Sequence, residues 1–165
     1  MIKITVMKGS ITTLDVDAIV NPANSYGEMG GGVAWVIKNV GGDGIEEEAM
    51  RQARFHVRTA VLTSGGELVA RFVIHAPTME EPAEKTNLFN IQQAVEAALE
   101  LAEEHEFSRI AFPGMGTGVG GVEKKAAAKT MVDAIHAFSS EHLKEIILVG
   151  KEDDMVKAFQ KALDS

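Results

Sequence analysis

Cysteine is absent from the 165 residues. Its absence removes disulfides, thiolate nucleophiles and every cysteine-based zinc site. No run approaches the ~18 apolar residues of a membrane span, and MIKITVMKGS at positions 1–10 lacks the apolar core of a signal peptide. The expected address is therefore the cytoplasm, with no membrane partner. Basic charge is also short, since 16 Lys and Arg stand against 24 Asp and Glu, a net charge of −8. Duplex nucleic acid, which draws its affinity from clustered cations, is not an expected partner. No aromatic-rich basic face is present for single strands either. A phosphorylated ligand survives these exclusions, because backbone N–H groups hold phosphate without side-chain charge. The five histidines show no H-E-x-x-H spacing, so neither a metal nor a cofactor is assigned.

What is present is an alternation of short apolar runs with helical stripes, and no internal repeat. Strands are expected at Ile2–Met7, Ala18–Asn21, Thr59–Thr63, Phe72–Ala76, Arg109–Phe112 and Glu145–Val149. Helices are expected at Gly32–Val40, Ile45–Val57, Leu88–His105, Glu123–Ser139 and Asp153–Leu163. IVNP, VIHAP and IAFPG each read as an apolar strand stopped near a proline. Buried apolar strands separated by helices predict an α/β sheet with helices on both faces. One domain over 1–165 is expected, with PTMEEPAEKTN as its longest mobile connection.

Two glycine-rich loops stand out, NPANSYGEMGGG from Asn21 and PGMGTGVGG from Pro113 to Gly121. Each follows an apolar strand and opens a helix, which places bare amides at the strand-end edge where open α/β sheets bind ligands. Glycine permits φ > 0 and close approach of a ligand to the backbone. Two such loops on one edge can grip a diphosphate from both sides; the plainer reading is a pair of tight strand-to-helix turns. Gly116, Gly118 and Gly121 fit G-x-G-x-x-G, a weak dinucleotide signal so late in the chain, and Val122 and Glu123 after Gly121 exclude a Walker A loop. Asn24 and Asn21 are candidate ligand groups because an amide both donates and accepts, as a sugar hydroxyl does; the alternatives are an Asx turn and backbone anchoring. His75, at a strand end, is expected to be a hydrogen-bonded structural histidine. Trp35 is expected to pack under a neighbouring segment, and Glu46–Glu48 to form a solvated first helical turn.

IVNPANSYGEMGGGVAWVI, VIHAP and AFPGMGTGVGG, in that order, resemble the macro domain, a family that binds ADP-ribose and related metabolites. The resemblance begins at KGSITTLDVDAIVNPAN, spans most of the chain, and implies a three-layer α/β/α sandwich with a mixed central sheet. It implies that Gly9 to Thr12, with Ser10 and Ile11, lies by the adenine. Asn24 would face and orient the distal ribose. Gly30, Gly31, Gly32 and Val33 would run beside that ribose and the diphosphate, and Gly114, Met115, Gly116, Thr117, Gly118, Val119 and Gly120 would form the opposing wall. The expected partner is then ADP-ribose or a derivative, free or attached to protein.

Four positions depart from the family pattern. Ser10 stands where many members have an adenine-binding Asp, and Ala34 where one hydrolytic branch has a catalytic Asp. Gly120 stands where many have an aromatic residue over the distal ribose, and LVGKED offers no aromatic near the adenine. The resemblance leaves two functions: binding, or removal of an acyl, phosphate or protein-ester group from the distal ribose. In the second, Asn24 would orient the ribose and the ligand's own diphosphate would assist a water. The missing carboxylate favours binding, since a general base is worth ~10²–10⁴ in rate. A nicotinamide dehydrogenase remains the third reading.

Overall fold

The computed structural model describes residues 1–165. Six strands form one sheet: β1 (Lys3–Lys8), β2 (Ala18–Asn24), β3 (Val61–Ser64), β4 (Phe72–Met79), β5 (Arg109–Phe112) and β6 (Glu145–Gly150). Five helices flank it, four between strands and one after the last: α1 (Gly32–Gly41), α2 (Asp43–Arg51), α3 (Leu88–Glu104), α4 (Lys124–Ala137) and α5 (Asp153–Asp164). The strand order is β1-β6-β5-β2-β4-β3, with every pair parallel except β3–β4. No helix is long and apolar enough to cross a membrane.

Side-chain alternation along each strand feeds two cores. Ala18, Val20, Ile74, Ile110, Phe112, Ile146 and Leu148 face α3, α4 and α5 in the larger one. Ile19, Val73, Ala111, Ile147 and Val149 point the other way, against α1 and α2. Burial of both sheet faces accounts for the near-continuous apolar runs in the sequence. The fold is a three-layer α/β/α sandwich with a mixed sheet, as expected.

Several local expectations are corrected. β2 and β4 run through Pro22 and Pro77 to Asn24 and Met79 instead of stopping before them. Pairing of β2 with β5 ends at Ile19, so beyond it one edge of β2 is open, and an open edge tolerates proline. α2 ends at Arg51, not Val57, because the chain turns away to bury Phe55, whose amide donates to Ser25 O at 3.0 Å. The buried face of α1 is Ala34, Ile37 and Gly41, which leaves Trp35 half exposed, not packed under a neighbour. Glu46 is not a solvated residue either: it is largely enclosed and pairs with Lys38 at 2.8 Å.

Candidate functional site

β2 and β5 are adjacent, but the chain leaves them in opposite directions, from β2 towards the β4–β3 edge and from β5 towards the β6–β1 edge. Strands that diverge in this way leave a crevice at their carboxyl ends. Here it is opened further by short pairing, confined to Ala18↔Ile110 and Ile19↔Ala111. Both glycine loops spring from these two strands. Between them lie two compartments of about 430 Å³ and about 520 Å³. Gly32, Val33, Gly114, Thr117 and Gly118 line both, so the two are one continuous cleft.

The glycines divide by what needs them. Gly116 has φ +73°, and a Cβ there would lie 2.8 Å from Ile91 Cδ1; at Gly120 it would meet Gly116 O at 2.7 Å. At Gly114 a Cβ would press on Met155 Sδ at 2.6 Å. Packing alone requires glycine at Gly116 and Gly120, whereas at Gly114 the close atoms belong to the movable side chains of Met155 and Thr117. Gly30, Gly31 and Gly118 are different: none has positive φ, and a Cβ would find no atom within 4 Å. All three line the cleft, so their missing side chains leave ligand space and exposed backbone. No side chain caps α1, whose N-cap is Gly31, so its first-turn amides open onto this space. The second loop is not symmetric with the first, because α4 begins only at Lys124.

Most of the expected site residues reach the cleft. Ser10 and Ile11 line the larger compartment, Asn24, Gly30, Gly31, Val119 and Gly120 the smaller, and Gly32, Val33, Gly114, Thr117 and Gly118 both, while Gly116 lines the smaller. Met115 and Asn21 do not. Met115 is a fully buried member of the larger core. Asn21 is buried and donates through Nδ2 to His75 Nδ1 at 3.1 Å. His75 Nε2 then carries its proton to Thr63 Oγ1 at 2.9 Å, whose own hydroxyl donates to Ser64 O at 3.1 Å. Burial holds the His75 imidazole neutral, with its pKa lowered to about 3.

Asn24 reaches the cleft as part of an Asx turn: its Oδ1 accepts from Tyr26 N at 2.9 Å and its Nδ2 donates to Glu28 O at 3.3 Å. Ser10 caps the single 3-10 turn Ile11–Thr13, accepting from Thr12 N at 3.3 Å. Other wall residues were not anticipated: Glu28, Thr78, Met79, Pro82 and Ala83 in the smaller compartment, and Lys8, Lys124 and Lys151 at the larger. Glu28 lies within the first glycine loop; the others are brought together from separate segments by the tertiary structure, and no local motif marks them. No group of three His, Asp or Glu side chains is placed to hold a metal ion.

Both flanks of the first loop are braced by carboxylates. Glu46 Oε2 accepts from the buried Met29 amide at 2.6 Å, just ahead of the glycine triplet. Burial raises the Glu46 pKa, but the Lys38 and Met29 hydrogen bonds outweigh it and hold the carboxyl below its ordinary value. Glu80 accepts from Ser25 Oγ, His56 Nδ1 and Val57 N, and the Ser25 bond chiefly lowers its pKa. Arg54 stacks over Tyr26 and approaches Glu80 and Glu81. The connection after β4, expected to be mobile, is pinned further along by Thr86, whose hydroxyl donates to Thr78 O and whose amide donates to Gly120 O.

An α/β/α sandwich with bare amides in the crevice between diverging strands belongs to the class of open-sheet proteins whose ligands sit at the strand ends. A family model described as Macro domain matches residues 20–131, and the chain belongs to that family. Among its relatives are an uncharacterized protein of Aquifex aeolicus, 54% identical over 97% of each chain, and one of Aeropyrum pernix, 44% identical over 97% of this chain and 85% of the relative. Among solved structures, a Trypanosoma brucei macrodomain in complex with ADP-ribose superposes with TM-score 0.88 at 26% identity, covering 97% of this chain and 68% of that one. An Oceanobacillus iheyensis macrodomain mutant with ADPR superposes with TM-score 0.87 at 25% identity, covering 96% and 90%.

Proposed function

We propose that this chain, acting as one domain, binds ADP-ribose or a derivative of it as a small molecule, free or carried on a protein. The observation that carries the reading is the bare backbone at Gly30, Gly31 and Gly118, where packing asks for no glycine and the cleft occupies the vacated space. The diphosphate lies between the uncapped first turn of α1 and the second loop, its charge offset by N–H donors and the helix dipole. Adenosine takes the larger compartment beside Ser10 and Ile11, where Ser10's capping role leaves backbone groups to read the base. The distal ribose takes the smaller compartment beside Asn24. Solved complexes of structurally similar macrodomains with ADP-ribose support the choice of ligand.

Hydrolysis of an ester on the distal ribose is the second reading. Glu28 favours it, as a carboxylate residue lining the compartment in which Ala34 supplies no base. Calorimetric titration with ADP-ribose, NAD and AMP tests the primary reading. Saturable binding of ADP-ribose in preference to both controls is expected; preference for intact NAD would replace it with the dehydrogenase reading.

A further inference from the structure

Gly30, Gly31 and Gly32 form a run with little of its own to hold it. A Cβ at any of the three would find no atom within 4 Å, and the Gly30 and Gly31 amides donate to no group of the chain. Bare glycine loses more conformational freedom on ordering than any other residue. A ligand that had to order such a run would bind more weakly for it. The fixed points therefore lie at the ends. The far end enters α1, where Gly31 O accepts from Trp35 N at 3.2 Å. The near end is Met29, whose side chain is fully buried in the core beneath α1 and α2 and whose amide donates to Glu46 Oε2 at 2.6 Å.

Glu46 stands in the first turn of α2, and its second oxygen pairs with Lys38 in the last turn of α1 at 2.8 Å. Its side chain is largely enclosed. An enclosed ion pair gains little over apolar packing of the same shape, so Lys38 alone does not account for a carboxylate here. The Met29 amide does, because a buried backbone N–H left without an acceptor is costly and Glu46 supplies the acceptor. One carboxylate thus joins α1, α2 and the start of the triplet. Resting on the ADP-ribose reading, we propose that Glu46 is a positioning residue for the diphosphate: its bond to Met29 sets the path of the glycine triplet before the ligand arrives. Glu46 lines neither compartment and acts through the backbone it holds.

Residue-resolved amide exchange and calorimetric titration of the whole protein test this. In unliganded wild type, the Met29 amide is expected to exchange about a hundredfold more slowly than those of Gly30 and Gly31. Adding ADP-ribose should slow Gly30 and Gly31 and leave Met29 as it was. Comparable rates without ligand, or a Met29 amide slowed by ligand as much as the glycines, would mean that the ligand orders the loop, and would overturn the proposal whatever the variants do. Glu46→Leu removes the acceptor, whereas Glu46→Gln keeps one. Well below its melting temperature, Glu46→Leu should exchange faster from Met29 to Val33 and bind ADP-ribose roughly tenfold more weakly, with Glu46→Gln within about threefold of wild type. Wild-type affinity in folded Glu46→Leu would reduce Glu46 to a stability role, and equal losses in both variants would assign the effect to its charge; either overturns the assignment. Failure of wild type itself to bind ADP-ribose is a separate outcome, visible even where Met29 is protected, and overturns the functional reading together with this inference.

Discussion

Gly116 and Gly118 are two residues apart in one loop, yet only the first is fixed by the fold. A side chain at Gly116 would need a strained positive φ and would push Ile91 and Thr86. Gly116→Ala should therefore destabilise the protein by about 1–3 kcal/mol, measured by urea unfolding. Gly118→Val keeps the backbone N–H and meets no protein atom at its Cβ. It should leave stability within ~0.5 kcal/mol and weaken ADP-ribose binding more than tenfold in a titration, by filling the cleft. Wild-type affinity in a folded Gly118→Val protein would remove the second loop from the ligand's path. Glycine is the same letter at both positions; what surrounds each separates packing from binding.

The string Asn21–His75–Thr63 ties β2, β4 and β3 together across the sheet. His75 is neutral in the fold, with a pKa of about 3, against an ordinary 6.5 in the unfolded chain. Between those values the unfolded state binds a proton that the native state refuses, so stability is full above pH 6.5 and falls as pH drops. From pH 6.5 to 5 this one group should cost roughly 1.5 kcal/mol. His75→Gln cannot titrate, so its unfolding free energy should show a correspondingly shallower slope over that interval in parallel urea melts. Equal slopes would mean that His75 takes up its proton in the folded state. Two of these strands, β2 and β4, carry Asn24 and Met79 of the cleft wall at their ends, so the Asn21–His75 bond ties the strands that bear that wall.

Across the whole molecule, the cleft joins the two halves of the sheet at their weakest contact, the two-pair ladder between β2 and β5. A ligand gripped by loops from both strands binds the native state and not the unfolded chain, so it stabilises the entire cooperative unit. At a hundred times its dissociation constant, ADP-ribose should add about 2.7 kcal/mol, a rise of roughly 5–10 °C in melting temperature for a chain of this size. AMP at the same concentration, lacking the second phosphate and the distal ribose, should give a smaller shift in the same thermal scan. Equal shifts would place the binding energy wholly on the adenosine side.

Composition and periodicity determined the layer order. Apolar runs too continuous for a half-solvated sheet, separated by striped helices, leave little besides an α/β/α sandwich, and N-x-A-N with two glycine loops marked the strand-end edge at which the cleft opens. These signals are local, which is why they survive in a bare sequence. Tertiary pairing decided the rest. Whether a glycine serves packing or a ligand depends on atoms from Ile91, Thr86 or Met155, far along the chain. Asn21 and Asn24 share one motif, but the register with His75 buries the first and leaves the second in the wall. Thr78 could not be placed at all: it is the one residue of β4 without a counterpart on β2 at the cleft wall, and strand register is a relation between distant segments that no single stretch contains.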